Sequence, residues 1–207
     1  SFHDKGEAAR EFDMKMRQAT GIAKAPFVAA FVRMLVESGE QVVLTGWHRA
    51  VYDVWLARIG HPISMFTGTE TPAQKQAEVA RFIRGETKVF VMSLRAGAGL
   101  DVLQEKCSTI VHGELDWSPG VHEQCRGRLF RDGQMNGVME YFLISDGGSD
   151  PVVSDVLGLK KDQLRGLIAP GVSGLKLQAD DGSRVRRLAE EYLKKRNVMR
   201  IAPINAN

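Results

Sequence analysis

The residues best placed to do chemistry form one run, Gln124-Cys125-Arg126-Gly127-Arg128-Leu129-Phe130-Arg131-Asp132-Gly133-Gln134. On a helix, offsets of four and seven residues bring side chains to nearly the same face. Gln124, Arg128 and Arg131 would then make one stripe of an amide and two guanidiniums. Two planar forks converging on one point suit a triphosphate, because they meet phosphate oxygens bidentately and stay charged. Gly127 would keep the approach open, and Gly133 would let the chain turn. Taken alone, an Arg-x-x-Arg pair has a plainer explanation, a surface helix with its arginines paired to Glu123 or Asp132.

What precedes the run shifts that balance. Ser93-Leu94-Arg95-Ala96-Gly97-Ala98-Gly99-Leu100-Asp101 follows a strand-like segment directly. A glycine-rich loop at the carboxyl end of a parallel strand is where α/β sheets place ligands, since its bare N–H groups can approach phosphate or sugar. Asp116-Trp117-Ser118-Pro119-Gly120 then leads into the arginine segment. Other constellations are poorer. Cys107, His112, His122 and Cys125 lack the CxxC or HxxxH clustering of zinc modules, and are expected as buried small hydrophobes and surface imidazoles, with no metal site. His48 reads as a helix-start histidine. Trp55, Phe66, Phe82 and Phe90 fall on apolar faces and are expected in the core. No Ser–His–Asp spacing can be argued.

The elements that must position these residues alternate. Strands are expected at Gln41–Thr45, Pro62–Thr67, Lys88–Met92, Thr109–His112 and Val138–Ile144. Helices are expected at His48–Ile59 and from Pro72, capped by Thr71, to about Arg84 before Gly85. Another runs from Pro26 to Glu37, closed by Gly39, and a further one from about Pro151 to Ile168. Strands spaced by helices of this length imply βαβ units and a mainly parallel sheet. The fold class is α/β with an α-helical C-terminal extension.

Composition bounds the rest. The 207 residues suit one domain with a small appendage, and 43% hydrophobic with 26% charged residues is ordinary globular usage. No transmembrane helix, signal peptide or disulfide scaffold is expected, which favours an intracellular, reducing compartment, cytoplasmic or nucleoid/nuclear. A first residue Ser1 suggests an excised fragment. The net charge, 28 − 25 = +3, is compatible with a polyanionic partner. Six basic side chains, Arg184, Arg186, Arg187, Lys194, Lys195 and Arg196, fall in one C-terminal stretch that reads most simply as a solvated helix face.

In order and spacing these segments resemble the second motor lobe of superfamily-two helicases and DNA translocases, nearest the Swi/Snf-type branch and its annealing-helicase relatives. That family's arginine segment reads Gln-x-x-(Asp or Gly)-Arg-x-x-Arg-x-Gly-Gln, which Gln124 to Gln134 satisfies. Ser93, Leu94, Ala96, Gly97, Gly99 and Leu100 match its glycine loop, Trp117-Ser118-Pro119 its Trp-Asn-Pro, and Thr67-Gly68-Thr69 its Asp-Gly-Ser-Thr turn. The loop departs from the Swi/Snf form by being one residue shorter and ending in Asp101 where the family has Asn.

The resemblance implies a RecA-like lobe at 21–170, a helical lead-in at 1–20 and a basic helical extension at 171–207. It also assigns roles. Arg131 would be an arginine finger on the γ-phosphate of ATP, with Arg128 beside it and Gln124 positioning both. Gly99 and Asp101 would face the nucleotide. Thr45, Gly68, Thr69, Ser93 and Trp117 would hold nucleic acid, DNA in duplex form before single strands. No G-x-x-x-x-G-K-(S/T), Gly-Lys or Asp-Glu occurs. ATP phosphates and Mg²⁺ would therefore be held by the family's first lobe, and this chain alone would be inactive. A non-catalytic DNA-binding module on the same fold is the alternative. A stand-alone nucleotide enzyme would need a phosphate loop after the first strand, and Gly46-Trp47-His48 is not one.

Overall fold

The computed structural model describes residues 2–96 and 100–159. Its strands are β1 (Val42–Gly46), β2 (Ile63–Phe66), β3 (Val89–Ser93), β4 (Thr109–His112) and β5 (Met139–Phe142). Its helices are α1 (Phe2–Glu37), α2 (Arg49–Arg58), α3 (Pro72–Ile83), α4 (Pro119–Arg126) and α5 (Asp150–Val156), with a 3-10 turn at Leu103–Glu105. The strands form one sheet in the order β2-β3-β1-β4-β5, and every pairing is parallel. All carboxyl ends therefore lie along one edge.

Alternation along the strands divides the core into two layers. Val42, Leu44, Val89, Val91 and Val111 pack with α1 and α2 through Ala25, Val28, Ala29, Val32, Val51 and Trp55. Val43, Phe90, Met92 and Ile110 face the other way, onto Phe82 of α3, Leu103, Cys125 of α4 and Leu129. Side chains at i and i+2 share a face, so a strand covered on both sides must be apolar throughout. Trp55 is fully buried, and a side chain at Gly46 or Gly113 would drive into its ring.

Two helices depart from expectation. Pro26 does not open a helix but lies inside α1. Proline removes one i→i−4 bond, yet the stripe Ala25, Val28, Ala29, Val32, Val36 is buried on the sheet, and that packing outweighs the loss. At the other end, α5 stops at Val156 because Gly158 adopts φ 71°. The remainder of the expected helix to Ile168, and the basic stretch Arg184–Arg196, lie outside the described residues. α3 begins as expected: Thr71 and Gln74 form a reciprocal capping box with Pro72 at the first position.

By length and composition alone, Glu7–Glu37 of α1 could cross a membrane, contrary to the sequence expectation. Its apolar stripe is spent on the sheet, however, as in a core helix. The chain groups into two compact units, Gly21–Ser145 and a smaller one of Ser1–Thr20 with Asp146–Asn207. The first holds the whole sheet. In the second, Thr20 Oγ1 accepts hydrogen bonds from Ser149 N at 2.9 Å and Ser149 Oγ at 3.2 Å, and Val152, Val153 and Val156 of α5 are buried.

Candidate functional site

α4 ends at Arg126 with Gly127 as its cap, so Arg128 and Arg131 sit on the tight turns that follow and not on a helix. Gly133, at φ 88°, reverses the chain. The two guanidiniums nevertheless converge. Arg131 Nη1 donates a short hydrogen bond to Asp101 Oδ1, and Arg128 Nη1 reaches the same oxygen at 3.4 Å. Hydrogen bonding and charge from Arg131, with Arg128 adding to it, hold the Asp101 carboxyl below its ordinary range. Two arginine forks are thus arranged around one oxyanion, the Asp101 carboxylate. All three side chains reach solvent. Gln124 is exposed on α4, and among the described residues it is hydrogen-bonded to neither arginine. Gly99 lies outside the described residues.

The carboxyl edge of the sheet gathers the other expected residues unevenly. Ser93 ends β3 and is half-buried, its Oγ accepting from Arg95 N at 3.3 Å. Gly68 and Thr69 are exposed beyond β2, with nothing near the position a Gly68 side chain would take. Glu70 ties this turn by accepting from Thr67 N at 2.6 Å and from Thr69 Oγ1 at 3.0 Å. Partial burial opposes ionisation of Glu70, but these hydrogen bonds outweigh it and hold its carboxyl below the usual range.

Two expectations are corrected here. Thr45 is fully buried in the central strand, and its hydroxyl is taken by His112 Nδ1 at 2.8 Å, so that side chain cannot hold a phosphate. Trp117 is only 7% exposed and belongs to the interior, leaving no ring face for nucleic acid. The tryptophan that does reach solvent is Trp47, 42% exposed at the end of β1, which sequence reasoning passed over. Its place after a buried strand, in a turn rich in polar residues, was the available signal.

The histidines expected at the surface are also inside. His112 and His122 are 0% and 2% exposed and meet edge to face, with centroids 4.6 Å apart. His112 Nε2 donates to Glu140 Oε1 at 2.9 Å, which leaves Nδ1 to accept the Thr45 hydroxyl. His48, at the start of α2, is clamped by buried Glu114. Glu114 Oε2 accepts from Trp47 N at 2.7 Å and His48 N at 2.9 Å, while His48 Nδ1 donates to Oε1 at 2.6 Å. Burial pushes both the Cys107 and Cys125 thiols up to about 12, so they stay protonated. Among the described residues no group of His, Cys, Asp and Glu is placed to hold a metal ion.

An all-parallel five-stranded sheet with helices packed on both faces is a RecA-like architecture. The family described as "Helicase conserved C-terminal domain" matches residues 26–133, and the chain belongs to it. It is similar to the bovine (Bos taurus) SWI/SNF-related matrix-associated actin-dependent regulator of chromatin subfamily A-like protein 1, 28% identical over 63% of this chain and 14% of that protein. It is also similar to the bovine DNA annealing helicase and endonuclease ZRANB3, 26% identical over 82% of this chain and 16% of that protein. The Swi/Snf-type likeness thus holds, and the chain spans about a seventh of the length of these relatives. The crystal structure of the C-terminal part of the Fun30 ATPase domain shares the fold, with TM-score 0.58 and 14% identity over 81% of this chain and 53% of that one.

Proposed function

We propose that this chain is the second motor lobe of an intracellular ATP-dependent DNA translocase or helicase, supplying Arg131 as a finger to ATP held by a first lobe. The convergence of Arg131 and Arg128 on a single carboxylate oxygen carries the reading. The pair already satisfies an anion, and a γ-phosphate presented across the cleft would replace Asp101 with a more highly charged one. Bound ATP would supply the transferring phosphoryl group, and its Mg²⁺ would neutralise charge on the phosphate oxygens. This chain's part is to meet the negative charge that develops on that group, with Arg131 closest, Arg128 beside it and Asp101 keeping both forks aimed until the nucleotide arrives. In this reading Gln124 and Gly99 keep the nucleotide-site roles that the family resemblance gives them.

Ser93 and the Gly68-Thr69 turn hold DNA in this reading. Hydroxyls and backbone N–H groups recognise phosphates and carry no base code, which suits a motor that must move over any sequence. Duplex DNA and the first lobe are the partners. The relatives' names, which describe chromatin regulation and DNA annealing, agree with such a track.

The isolated chain should therefore release phosphate from ATP no faster than buffer does, with or without DNA, because nothing in its sequence provides a phosphate loop or an Asp-Glu pair. A steady-state phosphate-release assay on the purified 207 residues checks this. Robust DNA-stimulated release would overturn the half-motor reading.

A further inference from the structure

We propose that Trp47 is a stacking platform for one unpaired nucleobase, which lets a lobe that tracks duplex DNA bind more tightly where the duplex ends in, or opens into, single strand. The inference rests on the DNA-gripping reading above and adds to it the feature of DNA that is read.

Trp47 follows Gly46, the last residue of β1, and emerges at the carboxyl edge of the sheet. It stays 42% exposed, whereas Trp55 and Trp117 are interior. Its backbone is fixed, since its N–H donates to the buried carboxylate of Glu114 at 2.7 Å. Its ring is braced as well, because the Arg95 guanidinium lies 5.5 Å from the ring centroid. Arg95 is in turn anchored by Nη2 donating to Asp116 Oδ2 at 3.2 Å, and Asp116 is 4% exposed and accepts from Ser118 N at 2.9 Å. The β1 and β3 ends thus hold an indole in place with a cation over one face, so the exposed remainder of the ring is what a base can meet. An anchored, partly exposed indole offers a flat π surface at little cost in lost motion.

An unpaired base is the ligand that fits. It presents a free π face, and the phosphate next to it would meet Arg95, which is 58% exposed and always charged. Bases inside a duplex have both faces covered by their neighbours and offer Trp47 nothing. Ser93, adjoining on β3, and the Thr69 turn supply contacts to the backbone that both forms of DNA share. Backbone grip and base stacking are therefore separable on this edge.

Fluorescence titration of the 207-residue chain with a blunt duplex, a duplex of equal length bearing a single-stranded overhang, and oligothymidine tests this. The wild-type chain should bind the overhang and the oligothymidine with quenching of tryptophan emission. Trp47→Ala should weaken both by about tenfold, the order of a single base–aromatic stack, and leave the blunt duplex within about twofold. Trp47→Phe, which keeps a ring, should retain most of the affinity and lose the quenching, and its circular dichroism confirms that the fold is intact. Equal losses on all three DNAs, or none on any, would overturn the platform while leaving the grip. Failure of the wild-type chain to bind any of them would overturn the DNA reading together with it.

Discussion

Replacing Arg131 by alanine in the protein that carries both lobes should lower ATP turnover by about 10³–10⁵-fold while leaving DNA affinity within about threefold. The asymmetry follows from what the guanidinium touches. It meets Asp101 beyond the carboxyl edge, whereas Ser93 and the Gly68-Thr69 turn belong to other strand ends. A finger that meets charge only as it develops on the transferring phosphoryl group affects turnover far more than ground-state binding. Arg131→Lys should recover little, because an ammonium cannot hold two oxygens in one plane. Arg128→Ala should fall between, since Arg128 stands farther from the shared oxygen, at 3.4 Å. Steady-state turnover with saturating DNA reads the first effect and an equilibrium titration the second. Unchanged turnover in Arg131→Ala would remove the finger assignment.

The largest loss of stability should come from Glu114. Its carboxylate is 4% exposed and satisfies three donors, the N–H groups of Trp47 and His48 and the His48 ring. Glu114→Ala leaves those donors without an acceptor. At about 1–3 kcal/mol for each buried unsatisfied group, three such groups cost roughly 3–9 kcal/mol. Small domains have about 5–15 kcal/mol in total, so the variant should unfold about 10 °C or more below the wild type. α1 makes room for this carboxylate, since a side chain on Gly21 would come within 2.6 Å of Glu114 Oε1. Glu114→Gln keeps one oxygen for the backbone donors but sets an amide N–H against another donor, and should lie between the two. Thermal unfolding followed by circular dichroism measures the series, and a shift under about 2 °C for Glu114→Ala would show the clamp to be dispensable.

Much of this fold was legible before any coordinates. The five strands lie within two residues of their expected bounds, because short β-branched runs ended by glycine or polar residues admit few other readings. The Thr71-Pro72 helix start was equally plain. Pro26 misled because proline at a first helical turn and proline inside a well-packed helix look alike in one sequence. The candidate site was legible as a pairing of arginines and less so as placement. Arg128 and Arg131 were expected on a helix with Gln124, and they converge through turns instead, with Asp101 as their meeting point. Burial was the hardest property to read. Thr45 lies inside because β1 occupies the middle of the sheet, a consequence of strand order that no local pattern encodes. Trp47 directly follows β1 and Trp117 lies a few residues beyond β4, and only packing decides that the first meets water and the second does not.

The second-lobe assignment is tested most directly by a structure of the two-lobe protein bound to DNA and to ADP with aluminium fluoride, a mimic of the transferring phosphoryl group. Arg131 should have left Asp101 and lie within hydrogen-bonding distance, roughly 2.7–3.2 Å, of the fluoride ligands, with Arg128 beside it. Arg131 still paired with Asp101, and no cation of this chain at the anion, would contradict it.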